Sequence, residues 1–245
     1  MKRISIAGLF LAAVFVLSAM AASSASAADL LARIAGGGSV AGVTFLSSAT
    51  LPLLFTHGGK SIHCKHVTNH GLFLSATLGN VLIQFLGCTS KENLVNVSCK
   101  TPGAGSGEIH LALSTLFHLG LAHLGTNRTI PAAVILLGKT IEIECSLVKI
   151  QVRGNVIGAL QKANGEPVEL GKSLSAFNLN FQQTANGLQD LRLILMPGST
   201  TPTTYDLESS FSGALFELSS EVANATLDGF TTSGGVATNI EFVEP

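Results

Sequence analysis

The sequence predicts an all-β protein, an antiparallel β-sandwich or β-barrel that is built from hairpins and stabilised by two disulfides. Apolar and polar residues alternate in several windows, which is the period of a strand with one buried face. Turn-forming residues recur roughly every ten positions, as in proteins of many short strands. Windows with helical periodicity are nearly absent, and residues 211–223 fit a helix and strands equally well.

The first 28 residues have the features of a signal peptide. Lys2 and Arg3 precede an apolar segment over residues 4–20, and residues 25–27 (ASA) form a cleavage site of small residues. The apolar segment approaches the length of a membrane span, but the cleavage site favours removal over retention as an anchor. We therefore expect a secreted or cell-surface protein, with no integral membrane span left after cleavage.

The remaining chain is expected to form one domain. Residues 29–42 are predicted to be a flexible segment, and residues 43–245 a single all-β domain with an exposed loop at 197–205. Only 12% of all residues are charged and 47% are hydrophobic, a composition that favours a compact core over disorder. Without Lys2 and Arg3 the chain has 12 basic and 15 acidic residues, and this balance gives no footprint for nucleic acid.

Two hairpins can be predicted from alternation. Residues 140–145 and 148–153 each alternate, and the two residues between them, Ser146 and Leu147, suit a tight turn. Residues 177–181 and 191–195 also alternate, and the segment 185–187 (ANG) between them predicts the clearest hairpin of the chain.

Four cysteines, Cys64, Cys88, Cys99 and Cys145, are the disulfide candidates. An even count in an exported chain indicates two disulfides, and the sequence alone leaves three pairings open. The polar residues between Cys88 and Cys99 suit a hairpin, which favours Cys88–Cys99 together with Cys64–Cys145.

The cysteines also belong to a wider pattern of short motifs. The motifs are Cys64-Lys65, residues 85–88 (FLGC), Cys99 with residues 107–109 (GEI), Glu144-Cys145, and residues 153–158 (RGNVIG). This pattern resembles a group of exported proteins found in many copies in soil actinobacteria of the Solirubrobacter type. The resemblance runs from about residue 55 to residue 245 and implies no activity. A proline often follows the last glycine in that group, whereas Ala159 stands here, so the turn there is expected to differ.

Histidines cluster around Cys64 and raise the question of a metal site. The candidates are His57, His63, His66 and His70. A zinc site needs about four nitrogen or sulfur ligands at suitable spacing. The flanking residues have strand and turn character, and on a strand His63 and His66 point to opposite faces. A disulfide at Cys64 also removes the thiolate, so we favour exposed histidines over a metal site.

Two function hypotheses follow, and a third is kept beside them. The first is a non-catalytic exported β-protein with a structural, adhesive or ligand-holding role, whose partner is a cell-surface component or a small apolar ligand. The second is a metal-dependent extracellular enzyme that uses the four histidines. The third is a ligand pocket inside a barrel, suggested by the high apolar content. The sequence predicts no catalytic residue and no cofactor, since Glu142 and Glu144 suit the solvent face of a strand.

Overall fold

The computed structural model describes residues 30–56, 61–92, 95–111, 115–124, 128–184 and 188–244, and every regular element in these ranges is a strand. The predicted all-β class is therefore confirmed. The strands, numbered in chain order, are β1 Leu31–Ile34, β2 Gly38–Ser39, β3 Thr44–Thr50, β4 Leu53–Thr56, β5 Ser61–His63, β6 His66–Phe73, β7 Leu78–Leu86, β8 Thr89–Glu92, β9 Val95–Lys100, β10 Glu108–Leu111, β11 Leu116–Leu124, β12 Arg128–Leu136, β13 Ile141–Cys145, β14 Val148–Gln161, β15 Phe177–Phe181, β16 Leu193–Leu195, β17 Thr203–Thr204, β18 Leu207–Phe211, β19 Glu217–Thr231 and β20 Ile240–Val243.

The strands form two closed rings of antiparallel pairs. In the lower ring the order is β3, β6, β7, β11, β12, β14, β15 and β19, and β19 pairs back with β3. In the upper ring the order is β4, β5, β8, β9, β13, β14, β18 and β19, and β19 pairs back with β4. The two longest strands, β14 and β19, run through both rings. The fold is thus a barrel with two stacked rings.

The predicted hairpin of residues 140–153 is confirmed. Strands β13 and β14 pair with Cys145 opposite Val148, and Ser146 in the two-residue turn has a φ of 53°. The side chains of Ile141, Ile143 and Cys145 are buried. Local alternation and a short turn were sufficient to predict this element, since its pairing involves only neighbouring residues.

The second predicted hairpin is wrong. Strand β15 pairs with β14 and β19, whereas β16 pairs with β11 and β17. Both edges of β15 are occupied by β14 and β19 in the lower ring, so β15 has no free edge for β16. The predicted turn at 185–187 lies outside the described residues.

The segment after β15 instead covers the outer face of the barrel. Leu191 and Ile194 pack against Ile130, Ala132 and Ile157 in a second apolar cluster outside the barrel. Within the loop expected at 197–205, residues 200–204 are exposed, and β17 is part of that stretch.

The segment 29–42 contains strands where a flexible stretch was expected. Strand β1 pairs with β20 on one side and β2 on the other, which gives a separate three-stranded sheet. Leu30 is fully buried, and the Arg33 side chain donates to Glu241 at 2.7 Å. The strands are short, and their pairing with the far end of the chain has no signal in the local sequence.

The favoured disulfide pairing is also wrong, because the bonds are Cys64–Cys88 and Cys99–Cys145. The predicted hairpin between Cys88 and Cys99 does exist as β8 and β9, and Cys99 N–H donates to Cys88 O at 2.9 Å. However, the Cys88 side chain bonds to Cys64, and the Cys99 side chain bonds to Cys145. Cys64 follows β5, three strand spacings or about 14 Å from β13, too far for a bond to Cys145.

Strand β14 passes from the upper to the lower ring at Gly154. The φ of Gly154 is +98°, and a Cβ atom there would overlap the carbonyl oxygen of Asp206. That oxygen accepts the N–H of Asn155 at 2.9 Å, so the two chains must approach closely. The strand then continues through Gly158 and Ala159 with no turn, where the sequence led us to expect one.

Peptide mapping without reduction tests the disulfides, because trypsin separates all four cysteines. Cleavage at lysine places them in peptides 61–65, 66–91, 92–100 and 140–149. We expect mass spectrometry to find 61–65 joined to 66–91 and 92–100 joined to 140–149. A linked pair of 66–91 with 92–100 would contradict the structure.

Substitution of Gly154 tests the close approach between the rings. Gly165 is the matched control, because its φ is also positive (+84°) but a Cβ there meets no atom within 4 Å. Gly165→Ala should lower the unfolding free energy by about 1 kcal/mol through backbone strain. Gly154→Ala should cost about 1–3 kcal/mol more, because an overlap is added to the strain. Urea denaturation of both variants measures the difference, and equal losses would rule out the tight contact.

Candidate functional site

The interior of the barrel contains a cavity that spans both rings. Its volume is about 120 Å³, and its wall is almost entirely apolar. Ile62 and Ile143 line it in the upper ring, and Val67 and Ile135 line it in the lower ring. This arrangement follows from strand alternation, since every second side chain of a closed barrel points inward.

The lower end of the cavity is closed by aromatic side chains. Phe45, Phe73 and Phe117 contact one another with ring centroids 5.2–5.7 Å apart. The contacts continue from Phe45 through Phe230 to Phe177. Phe177 in turn contacts Phe242 of β20, with ring centroids 5.1 Å apart. The three-stranded sheet thus packs against this end, where Ala32 N–H also donates to Ala76 O at 2.7 Å.

Glycines on the neighbouring strands make room for these aromatic side chains. Gly71 lies opposite Phe45, and Gly79 lies opposite Phe117. A Cβ atom at either glycine would overlap the opposing ring. The phenylalanine side chains therefore lie over the glycines and fill the lower end of the barrel, while the cavity occupies its middle.

Glu221 is the only ionisable side chain among the described residues that line the cavity. It lies opposite Leu54, at the point where β19 changes partner from β18 to β15. Protein surrounds the carboxyl on every side, and the surface that it keeps faces the cavity. Within the described ranges the carboxyl has no hydrogen-bond or ion-pair partner. Burial raises the pKa of Glu221 to about 7, because an apolar wall does not solvate its charge.

A second polar group lies in the lower ring, on β3, which pairs with β19, and on β6, which pairs with β3. Asn69 Nδ2 donates to Ser47 Oγ at 3.1 Å, and both residues line the cavity. The buried Asn69 Oδ1 has no partner among the described residues. Ser47 pairs with Leu227 of β19, and Leu227 is six residues from Glu221. The Asn69–Ser47 pair and the Glu221 carboxyl are therefore about 20 Å apart along β19.

The histidines predicted as metal candidates do not converge. His63, His66 and His70 are exposed on the outer side of β5 and β6, and His57 lies outside the described residues. His66 and His70 are separated by four strand residues, about 13 Å, whereas zinc ligands share one metal about 2 Å away. No group of three or more histidine, cysteine or acidic side chains in the described ranges is placed to hold a metal.

The sequence indicated some of this site and missed its polar centre. A ligand pocket inside a barrel was one of the hypotheses. The structure shows a cavity there, and ligand binding stays a prediction. Glu221 carried no signal, because residues 211–223 did not show clear strand alternation. Glu142 and Glu144 lie on the outer side, where Lys149 contacts both at 3.0 and 3.7 Å.

The comparisons with protein-family models, curated proteins and solved structures found no match to this chain. In the part of the chain that the structure describes, no helix has the length and apolar character needed to cross a membrane.

The raised pKa of Glu221 predicts a pH-dependent stability. The folded carboxyl keeps its proton up to about pH 7, whereas the unfolded one loses it near 4.5, so the folded state binds more protons between these values. The unfolding free energy should therefore fall as pH rises from 4.5 to 7, by about 3 kcal/mol in total. Below 4.5 and above 7 this contribution is constant.

Urea denaturation at several pH values between 4.5 and 8 measures this effect. Glu221→Gln should remove the decline, because the amide does not titrate. Glu217→Gln is the control, since Glu217 is exposed on the same strand. If the wild type and Glu221→Gln give parallel curves, the carboxyl is not buried as described.

Proposed function

We propose that this protein is an exported, non-catalytic binding protein whose barrel holds a small apolar ligand. The observation that carries the proposal is the cavity, which combines an apolar wall with an unpartnered carboxyl. Most ligand pockets have this character, with a few polar groups that orient the ligand.

Energetic cost supports this proposal. An empty cavity of about 120 Å³ lowers stability by about 3 kcal/mol at 24 cal/mol per Å³. A buried, unpartnered carboxylate adds about 3 kcal/mol above pH 7. A bound ligand relieves both costs, because its hydrocarbon fills the space and its polar group meets the carboxyl.

The disulfides support export. Two buried disulfides and no free cysteine in the described chain are typical of proteins from oxidising compartments. We include in the proposal that the signal peptide is removed, and that the chain belongs with the Solirubrobacter-type exported proteins that it resembles. No observation on the described residues favours the metal-dependent enzyme.

Calorimetric titration with 1-hexanol tests the proposed function. Burial of six carbon groups at about 0.8 kcal/mol each predicts a Kd of about 0.1–1 mM. The heat capacity change of binding should be negative, as for any burial of apolar surface. Native mass spectrometry of protein isolated from its own host should show the natural ligand as added mass. If no binding heat appears at any temperature and no added mass is found, the proposal is wrong.

A filled cavity provides the variant test. Ala225 lines the cavity, and the neighbouring Asn224 is exposed on the outer side of β19. Ala225→Leu should abolish hexanol binding without loss of melting temperature, because the added carbons enter empty space. Asn224→Leu should leave hexanol binding unchanged. A destabilised Ala225→Leu would mean that the wall is already packed, since overpacking costs about 1–3 kcal/mol.

A further inference from the structure

We propose, building on the proposed function, that the ligand is an apolar amine whose ammonium group pairs with the Glu221 carboxylate while its hydrocarbon occupies the cavity. The inference deepens the binding proposal by assigning the chemical class of the ligand.

The polar groups of the cavity carry the argument, because both unpartnered groups accept hydrogen bonds. The Glu221 carboxylate accepts at one point, and the buried Asn69 Oδ1 accepts at the other. Asn69 Nδ2 is already engaged with Ser47. Asn69 lies about 20 Å from Glu221, so one polar group of a ligand reaches only one of the two. A ligand group that pairs with the Glu221 carboxylate must donate, and an ammonium group offers three donors.

The charge of the cavity favours an amine over other hydrogen-bond donors as the ligand. When Glu221 is ionised, the cavity has one negative charge, and no positive side chain among the described residues lines the wall. Two arginines pair outside the cavity, Arg153 of β14 with Glu208 at 2.7 Å and Arg192, just before β16, with Asp206 at 2.5 Å. An ammonium group supplies the missing counter-charge, an alcohol supplies one neutral hydrogen bond, and a carboxylate is repelled.

The ionisation of Glu221 should also control the affinity. No ionisable side chain of the three flanking strands β4, β15 and β18 faces Glu221, since Glu208 of β18 points outward to Arg153. Burial raises the pKa of Glu221 to about 7, whereas an alkylamine, like a lysine side chain, stays protonated in this range. Affinity for the amine should therefore increase between pH 5 and pH 8.

Three hexyl compounds with different head groups provide the test: hexylamine, 1-hexanol and hexanoate. Calorimetric titration of the exported full chain at pH 8 should give the affinity order amine, alcohol, carboxylate, with the amine at least about tenfold tighter than the alcohol. At pH 5 the amine should lose about tenfold in affinity, while the alcohol should change little. Equal affinities, or tighter binding of hexanoate, would overturn the inference without affecting the proposed function. Failure of all three compounds to bind would reject both.

The variant Glu221→Gln identifies the responsible group. It should bind hexylamine and 1-hexanol with similar affinity and should show no pH dependence for the amine. The control Glu217→Gln, an exposed position on the same strand, should behave as the wild type. A preference for the amine that persists in Glu221→Gln would assign it to another group and contradict the inference. The wild-type affinity order decides the matter independently if Glu221→Gln does not fold.

Discussion

Closure of the two hydrogen-bonded rings is the constraint on which the rest of the structure depends. In each ring the last strand pairs back with the first, so the ring has no free edge. Because β14 and β19 belong to both rings, the rings share one wall and one interior. An eight-stranded barrel has an interior just wide enough to be filled by side chains or to hold one small ligand. The sizes of the inward side chains therefore decide between a solid core and a cavity.

Small side chains are concentrated on one sector of the wall. Ala133 of β12 and Ala223 and Ala225 of β19 face inward, and Gly158 lies between them on β14. Leu179 and Phe181 of β15 lean over Gly158, where a Cβ atom would overlap them. Large side chains thus fill the space beside Gly158, but the small alanine side chains on either side leave unfilled volume, which forms the cavity. The local packing explains where the open volume lies.

The sequence was sufficient for features that depend on neighbouring residues and insufficient for features that depend on distant ones. Alternation and a two-residue turn predicted the β13–β14 hairpin, and the polar segment after Cys88 predicted the β8–β9 hairpin. The same reasoning paired β15 with β16, because it could not see that β14 and β19 occupy both edges of β15. The disulfide pairing failed for the same reason, since it depends on the order of strands around the ring. Glu221 is the strongest case, because its burial results from residues on strands far away in the chain.

The disulfides and Glu221 lie on different strands of the upper ring. The bonds join β5, β8, β9 and β13 or the residues next to them, whereas Glu221 lies on β19 beside β4 and β18. Each bond closes a loop of 24 or 46 residues and contributes about 3–4 kcal/mol in the chain-entropy model. This contribution is similar to the free-energy cost of the cavity and of the buried carboxylate. The two disulfides therefore offset these costs. The half without covalent links, from β14 through β18 and β19 to β4, is held by hydrogen bonds and packing alone. Neither disulfide therefore restrains the strands that flank Glu221.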